Sequence, residues 1–184
     1  MSIRRQIVSS DLKKYPLTAF GRRRAVLIAR RLKRDFSIDL IYASPVRRTH
    51  DTANIVAKEC GAPVILRPTL RELGFGKFEN GPLADYHNAF SHPTDRFRKS
   101  VFGTETLHHA RERVVKCFKE IENKNRGQTI LIVSHGDPLW LLQAWLSDLN
   151  IKDTLRFVRR RSFKLGEVRE IIPWSGSFRF QRLY

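Results

Sequence analysis

Cysteine is almost missing from this chain: Cys60 and Cys117 stand alone, far apart, with no Cys-x-x-Cys spacing. That argues against a disulfide framework and a thiolate zinc site, and it makes a reducing compartment, the cytoplasm, the expected setting. No apolar run reaches the ~18 residues that a membrane span requires. The first residues lack the apolar core of a secretory leader. Repeats and low-complexity segments are missing too, and no histidine precedes His50. His50, His87, His92, His108 and His109 show no metal-ligand spacing supported by Cys or Asp, so neither a metal nor a cofactor is expected and the five are read as structural or surface residues.

Acidic residues are in short supply. Only 18 Asp and Glu stand against 35 Lys and Arg, a net charge of +17. Arginines gather at Arg22-Arg23-Arg24, Arg30-Arg31, Arg47-Arg48 and Arg159-Arg160-Arg161. They are spread along the chain without a nucleic-acid motif, so solvated helix faces account for them best. A nucleic-acid partner is the weaker reading, and a small phosphorylated substrate suits the charge better. No membrane partner is expected, and the sequence leaves the oligomeric state open.

What is present is enough apolar residues, 41%, for one real core in a single domain over residues 1–184. Thr18 caps a helix from Ala19 to Lys33, with Ala25, Ile28, Ala29 and Leu32 at helical spacing. A strand follows at Ile38–Ala43, a helix at Arg47–Cys60, a turn at Gly61-Ala62-Pro63 and a strand at Val64–Leu66. This β–α–β alternation argues for a parallel sheet. Leu70 to Gly81 reads as loop, and Ala84 to Arg98 as a helix interrupted near His92-Pro93. A helix runs to about Lys124, then a strand at Thr129–Val133 and a helix from Leu139 to Leu146. Gly166 to Ile172 is a strand, and Phe178-Arg179-Phe180 is an edge strand or a loose tail.

The continuous β-branched run Thr129–Val133 reads as a strand buried on both faces. It ends at Ser134-His135-Gly136, beside a helix start, where open α/β sheets bind ligands. Gly136 lets a ligand approach the backbone, and free N–H groups there favour an anion. Ser44-Pro45-Val46-Arg47-Arg48-Thr49 occupies a second strand-to-helix junction, where an arginine can grip a phosphoryl group bidentately. Alone that arginine would be a surface residue; beside Ser134-His135-Gly136 it reads as part of one site. Glu72, in the glycine-rich Leu70–Gly76 loop, is a general acid if burial or neighbours raise its pKa, and otherwise a solvated loop glutamate.

The order of these landmarks resembles the histidine phosphatase superfamily, also called phosphoglycerate mutase-like. The resemblance covers about Pro16 to Gly136. It rests on Pro16-Leu17-Thr18 with Gly21, Ser44-Pro45 with Arg48-Thr49 and Thr52-Ala53, Leu70-Arg71-Glu72 with Gly76 and Glu79, Gly103-Thr104-Glu105-Thr106, and Val133-Ser134-His135-Gly136. It implies an α/β three-layer sandwich, with a mostly parallel central sheet flanked by helices. It also implies that Arg48 lines a phosphate pocket and that Glu72 protonates the leaving group. His135 would be the second histidine, bonding the phosphoryl oxygens, and the Gly136 N–H would add a contact.

The family's first strand ends in Arg-His-Gly, whose histidine is the nucleophile. Here Arg4-Arg5-Gln6 is either a decayed form of it, or Ile3 to Asp11 is the loop that follows the motif and the first strand is missing. The second fits better, because little apolar sequence lies upstream of Ile3; residues 1–15 then form a remnant N-terminal loop and 163–184 a C-terminal strand and tail. A missing strand would leave sheet edges unpaired. The resemblance therefore implies a phosphomonoester or phosphohistidine hydrolase of very low activity. The alternatives are a non-catalytic phosphate-binding or regulatory module, or a phosphatase-like domain cut from a larger protein such as an aminoacyl-tRNA synthetase. The segment from Tyr86 to Arg98, with His87, Phe90, His92 and Arg96, is expected to set specificity toward an anionic substrate.

Overall fold

The computed structural model describes residues 7–161, 163–174 and 177–183. Thr18 starts the first helix as its side chain dictates: the hydroxyl accepts the Gly21 N–H at 3.0 Å, and α1 runs Ala19–Asp35. Arginine side chains are costly to bury, so α1 turns Ala25, Ala29 and Leu32 inward and leaves Arg22, Arg23 and Arg30 in solvent. β1 (Leu40–Ala43), α2 (Arg47–Cys60) and β2 (Val64–Leu66) follow. α2 closes on Gly61, whose φ of 75° completes the helix without a Cβ penalty. After a long connection come α3 (Leu83–Asn88), α4 (Leu107–Lys124), β3 (Ile130–Val133), α5 (Gly136–Leu146), α6 (Ile151–Arg161), β4 (Arg169–Trp174) and β5 (Ser177–Arg182).

The sheet has the order β2-β1-β3, all parallel, with Ile41 opposite both Val64 and Leu131. Alternate residues of its strands feed two cores. Ile41, Ala43, Leu131 and Val133 pack with Ala29 and Leu32 of α1 and Ala53 and Val56 of α2. Tyr42, Ile130 and Ile132 pack with Val114, Phe118 and Ile121 of α4 and Leu142 of α5. The result is the expected three-layer α/β sandwich. A third cluster around Tyr86, Phe97 and Trp140 joins α3, α5 and the start of α4. β4 and β5 form a separate antiparallel hairpin, so Phe178–Phe180 belongs to a strand and not to a loose tail. Arg169 ties that hairpin down: it bonds Glu167 at 2.7 Å, donates to the buried Gln143 of α5 and lies over the Phe163 ring.

Several expectations change. The strand at Thr129–Val133 is half-buried at every position of β3, and among the described residues it pairs with β1 alone. The Ala84–Arg98 helix is shorter than expected: α3 ends at Asn88, and Pro93 starts a separate 3-10 turn with His92 held extended before it. α5 begins at Gly136, three residues before the expected Leu139. α6 has no counterpart in the sequence reading, although Asn150 caps it by accepting the Asp153 N–H at 3.0 Å. The decayed or missing first strand concerns Met1–Gln6, which lie outside the described residues. From Val8 onward the expected loop is packed. Val8 is in the core and exchanges backbone hydrogen bonds with Gly81 and Asn80.

Candidate active site

β1 and β3 end side by side, locked by the Ser44 N–H donating to the Val133 carbonyl at 2.9 Å. Each chain then turns directly into a helix, so Ser44 and Arg48 on one side face His135 and the start of α5 on the other. Arg48 Nη2 donates to His135 Nδ1 at 2.8 Å and to the Ser9 carbonyl at 3.1 Å. His135 Nε2 lies 2.8 Å from Ser44 Oγ. Glu72 Oε2 is 3.7 Å from Arg48 and 3.8 Å from His135 Nδ1. Side-chain exposure falls from 28% for Arg48 to 15% for Glu72 and 2% for His135. The sequence-derived trio Arg48, Glu72 and His135 is therefore one cluster. Gly136 is exposed at the first turn of α5, and nothing lies within 4 Å of where its Cβ would be, so the helix start is open to an incoming anion.

The protonation pattern follows from burial. Burial pushes the Glu72 carboxyl up, the Asp137 carboxylate pushes it further, and the Leu73 N–H, Arg48 and Arg113 only partly oppose this, leaving it at about 8. Burial, with the charges of Arg48 and Arg113, holds His135 well below the usual histidine range. At neutral pH the site is therefore a charged guanidinium, a neutral imidazole and a protonated carboxyl. The 3.8 Å approach of Glu72 to His135 is then not an ion pair. Together they place a cationic donor beside a carboxyl that keeps its proton at neutral pH.

Three residues that sequence reasoning left without a role build this site. Arg113 of α4 donates Nε to Glu105 at 2.7 Å and Nη2 to its other oxygen at 3.0 Å, and it reaches the carbonyls of Thr69, Arg71 and Glu72 at 2.8, 2.9 and 3.1 Å. It clamps the loop that carries Glu72. Burial pushes Glu105 up, but the Arg113 hydrogen bonds and charge outweigh it and keep the carboxylate ionised. Ser134 Oγ donates to the Leu70 carbonyl at 2.7 Å, tying the same loop to the end of β3. Asp137 accepts the Trp140 indole N–H at 2.7 Å and supplies the negative charge beside Glu72. The signal for Arg113 was its place eight residues after Glu105, on the second turn of the helix that follows that glutamate.

The same loop is pressed against residues 102–105. Gly76 has φ 53°, and a Cβ there would lie 2.3 Å from the Phe102 carbonyl, so only glycine fits. Glu79 accepts the Phe75 and Ser10 N–H groups and the Ser10 hydroxyl, which binds the N-terminal segment to the site. In the expected specificity segment, Tyr86 and Phe90 are buried core residues stacked edge-on, with Tyr86 also against Phe75. Arg96 lies over the Tyr86 ring, and His87, His92 and Arg98 are exposed. Among the described residues, no group of three or more His, Cys, Asp or Glu could hold a metal ion.

Parallel strands ending in a Ser-Pro junction with an inward arginine and in Ser-His-Gly at a helix start, with a glutamate between them, bring a guanidinium, an imidazole and a carboxyl into one cleft. The histidine phosphatase superfamily (branch 1) profile matches residues 4–183, and the chain belongs to that family. It is 33% identical to a probable phosphoglycerate mutase GpmB of Photorhabdus laumondii, over 88% of this chain and 77% of the relative. Among solved structures, the α-ribazole phosphatase of Shigella flexneri is 25% identical with a TM-score of 0.79, covering 96% of this chain and 87% of that one. YhfR of Bacillus stearothermophilus is also 25% identical, with a TM-score of 0.79 and coverages of 96% and 86%. The family supports phosphate hydrolysis as the general chemistry. Among the described residues no helix is long and apolar enough to cross a membrane.

Proposed function

We propose that this chain binds a small phosphomonoester, or phosphohistidine, in the cleft between Ser44 and Gly136 and hydrolyses it slowly. Arg48 grips the phosphoryl oxygens as a fork, the N–H groups at the start of α5 add donors, and His135 bonds a further oxygen. Glu72 gives its proton to the ester oxygen as the P–O bond breaks. Water supplies the new oxygen to phosphorus, and one of its protons restores Glu72. The observation that carries this reading is the joint presence of a guanidinium, a neutral imidazole and a carboxyl that stays protonated at neutral pH, all within 4 Å of one another. The relatives' names, a phosphoglycerate mutase and an α-ribazole phosphatase, agree in the class of substrate.

Slow turnover follows from the residues in hand. Among the described residues no second histidine is hydrogen-bonded into the cluster, so the two-step route through a phosphorylated imidazole has no partner there. Release of p-nitrophenol from p-nitrophenyl phosphate tests the reading. Weak hydrolysis that His135→Ala lowers by about tenfold or more supports it. Hydrolysis indifferent to His135 contradicts it. Phosphate binding without any hydrolysis favours the non-catalytic module.

A further inference from the structure

The two nitrogens of His135 have unlike partners. A guanidinium has only donors, so the 2.8 Å contact from Arg48 Nη2 requires an accepting lone pair on Nδ1. The neutral ring carries one proton, which must then sit on Nε2. Nε2–H points at Ser44 Oγ, 2.8 Å away. Ser44 is fully buried, and the same oxygen also takes the Val46 N–H at 3.3 Å, so it is held as an acceptor from two sides. The serine is fixed in turn at the strand end, where its own N–H and carbonyl are bonded to Val133 and Thr49.

We infer that Ser44 is a positioning residue: by accepting Nε2–H it fixes the ring of His135 so that Nδ1 is the nitrogen presented to Arg48 and, when the cleft fills, to the phosphoryl group. In the empty cleft Nδ1 accepts from Arg48. A bound phosphoryl group draws the Arg48 donors to its own oxygens, and Nδ1 is then free to take a proton from solvent and donate it to the nearest phosphoryl oxygen. Nε2 keeps its proton and its bond to Ser44 throughout. The inference rests on the proposed phosphate-binding role, but its first half concerns the empty protein and stands or falls by itself.

The test is nitrogen-15 NMR of the histidine-labelled protein. In the empty wild type His135 should show a protonated Nε2 whose hydrogen exchanges slowly, and an unprotonated Nδ1. The reverse tautomer overturns the inference. Ser44→Ala should convert the signal to a mixture of tautomers and weaken inorganic phosphate binding by about tenfold. An unchanged tautomer in that variant overturns the positioning role. Should Ser44→Ala fail to fold, Ser44→Cys, close in size, is read the same way. On adding inorganic phosphate, Nδ1 should shift toward the protonated range with Nε2 unmoved. Movement at Nε2 instead overturns the inference while leaving phosphate binding intact. Absence of phosphate binding, with the expected tautomer in the wild type and a mixture in the variant, supports Ser44 as positioning residue and sinks the functional reading.

Discussion

Glu72 and His135 sit 3.8 Å apart, and their environments push their proton affinities in opposite directions. Glu72 is held at about 8, so it carries its proton below that pH and loses it above. As a general acid it works only while protonated. Hydrolysis should therefore fall as pH rises through about 8, and Glu72→Gln, which keeps the shape without an acidic proton, should cut turnover about 10²-fold and abolish that limb. A rate that holds steady beyond pH ~8 in the wild type contradicts the assignment. Arg48, Glu72 and His135 were legible in the sequence because each stands at a strand end or in a glycine-rich loop. Asp137 was not, because its effect acts across space on a carboxyl far away in the chain. The protonation of Glu72 was not legible either, since burial is a property of the packed loop.

At the scale of elements, the loop after β2 has little secondary structure of its own and is held by others. α4 supplies Arg113, whose bonds to Glu105 and to three backbone carbonyls fasten residues 69–72. Arg113→Ala should destabilise the fold by about 3–5 kcal/mol, because it strands a half-buried carboxylate and three carbonyls. Arg113→Lys should recover only part of this, since an ammonium cannot fill the fork. Urea unfolding measures both, and a loss under about 1 kcal/mol for the alanine variant contradicts the clamp. Helices with a strong cap and an apolar stripe, α1, α2 and α4, were legible to within a few residues. α6 was hidden by its arginines, which read as a charge cluster, although Ile151, Leu155 and Val158 lie at helical spacing. β3 was read as doubly covered from its composition. Its two faces are covered, but composition carries no information on which edge finds a partner.

Over the whole molecule, a charge of +17 surrounds the cleft of Arg48, Glu72 and His135. Such a field attracts phosphorylated ligands at low salt and is screened within about 10 Å at 0.1 M salt, whereas the buried contacts of the cleft are screened far less. The fold class was legible because β–α–β alternation fixes a parallel sheet. The cleft was legible because parallel strands place their carboxyl ends together. Among the described residues, Arg48 stands there as the cation bonded directly to His135. Titration of inorganic phosphate at neutral pH, followed by calorimetry at low and moderate salt, tests this most directly. Saturable binding that weakens with salt is expected, with a fall of at least about tenfold in Arg48→Ala, the loss of a charge-assisted fork. No binding by the folded wild type, or equal binding by the variant, would contradict it.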